Sequence, residues 1–233
     1  MARSHIYLMA ASFIVLTMLI VSIVYFDYNA YLLLSLAIIA CTMLPFFSRF
    51  EFRELAGREI VILAMLAAIA AVSRVPFAGL PSVQPTSFVI MMAGLVFGAE
   101  SGFIVGAVAA VVSNIFLGQG PWTPWQMYAW GMLGMSAGLL RNVWWMKKMW
   151  GKCIFGFLWG YLFGWFMNMW IIVSNMEILT REFFVGVYVS SIYFDLAHGL
   201  SNVFFILVFG ASWTKILERF KRKYSLLSVK GYV

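Results

Sequence analysis

Asp195, His198 and Asn202 stand at i, i+3 and i+7 of a long apolar run, which puts them on one face of a helix built from it. An acid, an imidazole and an amide are costly among apolar neighbours, so each is a candidate for function. From a helix start near 185, Asp195 lies about 15 Å and His198 about 20 Å along the axis. Their spacing admits a hydrogen bond or ion pair within one helix. Three roles fit such a pair: a proton relay, the wall of a ligand pocket, or a polar clamp between helices. No second buried acid continues a relay, so pocket lining or a clamp is favoured. Asn114 and Asn168 add amides in neighbouring apolar runs, and Tyr188, Tyr193, Trp165 and Trp170 fall at similar heights. A metal site needs more ligands than His5 and His198 supply, so none is expected. There is no nucleophile elbow, no HExxH and no phosphate-cradling loop, so neither an enzyme nor a cofactor is expected. Without a nucleotide-binding motif, any dependence on ATP must come from another chain.

Two loops carry further chemistry. One runs over 76–87 and contains Pro76, Pro81, Gln84 and Pro85; the other runs over 118–126 and contains Gly118, Gly120, Pro121, Trp122, Pro124, Trp125 and Gln126. Proline and glycine stiffen such loops and forbid helix within them. Trp122 and Trp125 fit two roles equally, as membrane-interface anchors or as flat walls of a pocket with Gln84 and Gln126 as amide partners.

The elements that must position these groups are membrane helices. Of 233 residues, 64% are hydrophobic and 11% charged, against about 25% charged in soluble domains. That composition excludes a soluble globular protein and a disordered chain. The net charge of +7 comes from short basic clusters between apolar runs, so it is no nucleic-acid footprint. The fold class is an all-α polytopic transmembrane bundle, with spans expected near 6–26, 30–48, 60–75, 87–99, 101–117, 125–140, 153–174 and 185–212. The first run is read as a retained helix, since no small-residue cleavage site follows it. With eight spans both termini share a side, and 14 of the 16 Lys and Arg fall there, leaving Arg74 and Arg181 opposite. The termini are therefore expected to be cytoplasmic.

Three parts result: a helical hairpin with an interfacial linker over 1–57, a six-helix core over 58–212, and a basic tail over 213–233 whose expected role is topology and contact with anionic lipid. Glycine ladders at Gly94, Gly98, Gly102, Gly106 and at Gly156, Gly160, Gly164 predict close helix packing inside the bundle. Ala64 and Ala68 form a smooth strip on the third span.

The stretch from Arg58 to Ala68, the loop Gly79-Leu80-Pro81-Ser82-Val83-Gln84-Pro85 and the run Gly118-Gln119-Gly120-Pro121-Trp122-Thr123-Pro124-Trp125-Gln126 resemble the substrate-binding S components of energy-coupling factor (ECF) transporters, most closely the cobalamin type. The resemblance covers about residues 58–212. It implies a six-helix core that binds a vitamin, cobalamin being favoured, at the outer face. It also implies association with a transmembrane T component and two ATPase subunits, with Ala64 and Ala68 on the strip that docks the T component. Two helices more than the family core are expected at the N-terminus. Met1-Ala2-Arg3-Ser4-His5 lacks the Met-x-His chelate of nickel and cobalt members, so a metal-ion substrate is not expected. The expected substrate-binding residues are Gln84, Asn114, Trp122, Trp125, Gln126, Asn168, Tyr188, Tyr193 and Asp195. The alternatives are another vitamin or a queuosine-type precursor, or a proton-coupled carrier working through Asp195 and His198.

Overall fold

The computed structural model describes residues 57–224, preceded by Ala37, Ile39, Cys41 and Met43. The expected span at 6–26, most of that at 30–48 and the linker up to 56 lie outside the described residues. Ile39 and Met43 are buried against Phe103, Ile104, Ala107 and Trp125.

Six α-helices follow: α1 (Gly57–Val72), α2 (Thr86–Phe97), α3 (Ala99–Leu117), α4 (Thr123–Leu140), α5 (Met149–Ser174) and α6 (Arg181–Lys223). Single 3₁₀ turns at Val75–Phe77 and Met176–Ile178 serve two of the connections. Among the described residues there is no strand. Gly57–Phe77, α3, α5 and α6 are each long and apolar enough to cross a membrane, and the chain is a multi-pass membrane protein.

The shortest of the six helices, α2, is the hub. It packs against α1, α3, α4 and α6, and every residue in it except Leu95 is buried. An all-round apolar helix needs neighbours on all sides, and this sequence has no polar face to expose. Twelve residues span about 18 Å, well under the roughly 30 Å of hydrocarbon. At least one end of α2 therefore sits at depth, where free backbone groups must find partners in the protein. At its start Thr86 Oγ1 donates to Ala70 O at 2.9 Å; at its end Lys221 Nζ donates to Val96 O at 2.7 Å. Gly98 both ends α2 and begins α3, at φ 102° and ψ 176°, a region essentially restricted to glycine.

The first glycine ladder has a partner that its own spacing does not reveal. Gly131, Gly134 and Gly138 on α4 face α2 and α3: a Cβ on Gly94 would meet the Gly134 carbonyl, one on Gly102 the same carbonyl, and one on Gly106 the backbone of Trp130. The second ladder sets the crossing of α5 with α6. Gly156 faces Asn202 and Ile206, Gly160 faces the Gly199 backbone, and Gly164 faces the Asp195 carboxylate. Asn202 Nδ2 ties the pair by donating to Gly156 O at 2.9 Å.

The last helix differs from expectation. It starts at Arg181, where the Thr180 side chain caps it by accepting from Phe183 N at 3.1 Å, and it continues to Lys223 rather than ending near 212. Lys221, Arg222 and Lys223 close its final turn, where cations complement the helix dipole. Much of the expected basic tail is thus the end of α6, and residues beyond 224 lie outside the described residues.

Candidate functional site

A cavity of about 320 Å³ opens between the loop after α1 and the facing surfaces of α5 and α6. Its floor comes from Ser82 and Gln84 of the 73–85 loop, which is tied to α6 at two points. Phe77 meets Phe205 edge to face at 5.7 Å. The Gln84 backbone N–H donates to Ser201 Oγ at 3.0 Å, and Ser201 returns a bond to the Gln84 backbone O at 3.3 Å. Ser201 is twenty residues from the start of α6, about 30 Å along the axis. The loop is anchored against the middle of α6 through Phe77 and Gln84, while Val75, Pro76, Ala78, Gly79, Leu80 and Pro81 remain exposed.

Arg74 holds that loop in place. Its Nε donates to Gln84 Oε1 at 3.0 Å, and its Nη1 to Ser113 Oγ at 2.6 Å and Asn114 Oδ1 at 3.0 Å. The guanidinium lies 4.8 Å from the Trp130 ring centroid, a cation–π arrangement. Asn114 then spends its own donors on Thr123 Oγ1 at 3.0 Å and Gln126 Oε1 at 2.7 Å. A planar fork of five donors suits this work, because it reaches two helices and a loop at once.

The α5–α6 wall carries the charge. Asp195 is 3% exposed and lines the cavity. Ser191 Oγ donates to Asp195 Oδ2 at 2.9 Å, and Asn168 Nδ2 donates to Ser191 Oγ at 2.8 Å. Oδ1 occupies the space that a Cβ on Gly164 would take, so glycine there is what admits the carboxylate to the helix interface. Among the described residues no cation pairs with Asp195. His198 bonds elsewhere: its Nε2 is 2.7 Å from Ser87 Oγ, and Ser87 accepts from Trp130 Nε1 at 3.1 Å. The acid and the imidazole, which the spacing would allow to pair, each bond away from the other.

Among the polar groups on the cavity lining, Asp195 Oδ1, Asn168 Oδ1 and Gln84 Nε2 make no protein hydrogen bond with the described residues. Phe163, which stands edge-on to His198 at 5.1 Å, and Phe194 add aromatic surface. A carboxylate, an amide carbonyl and an amide donor around an aromatic-walled space can read the edges of a small polar ring.

Of the nine expected binding residues, Gln84, Asn168 and Asp195 line this cavity. Asn114 and Gln126 reach it only through Arg74 and Gln84. Trp122 packs on Trp170 at 6.4 Å and Trp125 is buried against Phe166 at 5.3 Å, and neither lines this cavity. Tyr188 stands against Trp165, and Tyr193 is 71% exposed on the outer surface of α6. Sequence reasoning missed Arg74, Ser87, Trp130 and Ser191. Only Arg74 left a signal, as one of two cations on the side poor in Lys and Arg. Ala64 and Ala68 are exposed on α1, opposite the buried face formed by Leu63, Leu66, Ala67 and Ala70.

The family model described as ECF transporter, substrate-specific component, matches residues 58–224. Among curated proteins, the chain is similar to a UPF0397 protein of Aliivibrio fischeri (strain MJ11), 29% identical over 91 residues, which is 37% of this chain and 49% of the relative. A UPF0397 protein of Aliivibrio salmonicida (strain LFI1238) shows the same identity and coverage. One of Vibrio atlanticus (strain LGP32) is 30% identical over 88 residues, 36% of this chain and 48% of the relative. The chain spans about half the length of the curated relatives it matches. No solved structure matches.

Proposed function

The chain belongs to the substrate-specific components of ECF transporters, and from that premise we propose that it captures a small, nitrogen-bearing organic molecule of vitamin type for uptake driven by partner subunits. The observation that carries this reading is the open trio of Asp195 Oδ1, Asn168 Oδ1 and Gln84 Nε2 in one cavity. A buried carboxylate without a protein cation favours a ligand that brings a protonated or donor nitrogen.

Cobalamin is the substrate favoured by sequence resemblance. The cavity volume of about 320 Å³ lies at the small end of the roughly 300–1,000 Å³ typical of drug-sized ligands. That supports a smaller vitamin or a queuosine-type precursor over a corrin with its amide arms. The separate hydrogen-bond partners of Asp195 and His198 give no support to a proton-coupled carrier.

The test is calorimetric titration of the purified full chain with a vitamin panel that includes cobalamin. One-to-one, sub-micromolar binding of one member without ATPase subunits is expected. Asp195→Asn should weaken that binding by about ten- to hundredfold, the worth of one charged hydrogen bond. A well-folded chain that binds nothing on the panel would sink the proposal, and unchanged affinity in the variant would remove Asp195 from the site.

The proposed partners are a transmembrane T component and two ATPase subunits, with the T component docking on the Ala64–Ala68 strip. The exposure of both alanines supports this, since small residues let helix backbones approach. Ala68→Trp should abolish co-purification with the T component and leave ligand affinity unchanged; a variant that still assembles would rule the strip out. The 14-to-2 distribution of Lys and Arg supports cytoplasmic termini in the cell membrane.

A further inference from the structure

At the end of the bundle away from the ligand cavity, a second cavity of about 410 Å³ lies between the ends of α2, α4 and α6 and the α4–α5 connection. Its charged lining consists of Arg141, Lys147 and Lys221 against one carboxylate, Glu218. We propose that this cavity binds the phosphate group of an anionic phospholipid headgroup.

The fold keeps two of the three cations available. Arg141 and Lys147 make no hydrogen bond and no ion pair with any described residue. Arg141 is nevertheless held close, because a Cβ at Gly98 would lie 2.9 Å from its Nη1. Lys221 is drawn inward by its bond to Val96 O, the carbonyl near the end of α2. The cavity is therefore a recess in which Arg141 and Lys221 are positioned by the fold and Lys147 stands exposed at the rim.

A second observation sets its height. Trp144, between Arg141 and Lys147 in sequence, is 69% exposed, and Trp150 is 50% exposed. The two rings meet edge to face at 5.7 Å. Exposed tryptophans beside lysine and arginine at helix ends mark the membrane–water interface, which puts the recess at the level of lipid phosphates. Basic pockets between transmembrane helices at that level suit anionic headgroups. Leu139 on α4 and Phe209 and Ile216 on α6, two of the helices whose ends line the recess, are exposed apolar residues on which acyl chains can lie.

Native mass spectrometry of the full chain in mild detergent tests this, with phosphatidylglycerol and phosphatidylcholine of matched chains as probes. The wild type should retain one phosphatidylglycerol under activation that strips phosphatidylcholine. An Arg141→Gln/Lys147→Gln double variant, checked for an unchanged unfolding midpoint, should lose that retention by about thirtyfold, as expected for two interfacial cations. A Lys215→Gln/Arg222→Gln variant makes the same charge change on exposed positions of α6 and should retain the lipid. Equal retention of both lipids, equal retention by the double variant and wild type, or equal loss in the control would each overturn the proposal. Millimolar inorganic phosphate separates the sources: displacement of the lipid would replace it with a free-phosphate site. A double variant that keeps the lipid but fails to assemble with a T component would make the recess a protein-docking surface instead.

Discussion

Replacing Arg74 with methionine should lower the unfolding midpoint sharply and weaken ligand binding together. The guanidinium serves Gln84, Ser113 and Asn114 at once and faces Trp130. Methionine keeps the bulk and removes every donor. Ser113 retains its bond to Ala110 O, but Asn114 Oδ1 and Gln84 Oε1 lose their donors. Each stranded acceptor costs about 1–3 kcal/mol, less if water reaches it. Relief from holding a cation without a carboxylate partner among the described residues offsets part of this. The net expectation is about 2–4 kcal/mol of lost stability. Affinity should fall because Gln84 is no longer held at the cavity floor. Arg74→Lys should recover little, since one ammonium cannot reproduce a fork that spans two helices and a loop. The measurement is thermal unfolding in detergent followed by titration of the bound vitamin. A wild-type midpoint and affinity in Arg74→Met would reduce Arg74 to a topological charge.

Gly134→Leu should prevent the bundle from forming. Three helices meet at this residue: its carbonyl lies where a Cβ on Gly94 or on Gly102 would sit, and its own Cβ would meet the Gly102 carbonyl. The obstruction is backbone on every side, so no side chain can swing away. Overpacking a core usually costs about 1–3 kcal/mol, and separating three backbones at the hub helix exceeds that range. Fluorescence-detected size exclusion of the solubilised chain should show loss of the monodisperse peak. Gly186→Leu is the control, because nothing lies within 4 Å of a Cβ there, and it should behave as wild type. Equal behaviour of the two variants would contradict the close approach of α2, α3 and α4.

Several elements were legible before any coordinates. The six described helices coincide with apolar runs because a helix in hydrocarbon, crossing it or buried in the bundle, needs apolar side chains and satisfies its own backbone groups. The Gly156–Gly160–Gly164 ladder indicated a close crossing, and α6 is the helix it meets. Asp195 stood out because a carboxylate has so few reasons to be in such a run. The end of α6 was misjudged since apolarity marks where hydrocarbon stops, whereas a helix persists as long as its backbone bonds and caps allow. Helix-favouring Lys, Arg, Glu and Leu carry it on to Lys223.

Other features could not be read in this way. Periodicity identifies the face a helix will bury but not the helix it will meet, so the Gly131–Gly134–Gly138 partner ladder stayed unseen. Arg74 joins Ser113 and Asn114 across 39 and 40 residues, and Ser87 meets His198 across 111. Trp122 and Trp125 looked equally suited to a pocket wall or an anchor, and their packing on Trp170 and Phe166 depends on where α5 runs.

By itself, then, the sequence determined that the chain is a multi-pass membrane protein and roughly where its described helices lie, because both follow from the transfer of single residues between water and hydrocarbon. Tertiary structure alone decided that the proline-rich loop is tied to α6 through Phe77 and Gln84, that Arg74 secures it, and that Asp195, Asn168 and Gln84 face one space. Those outcomes depend on hydrogen bonds and backbone contacts between segments far apart in the chain, and such pairings exist only once the helices have found their neighbours.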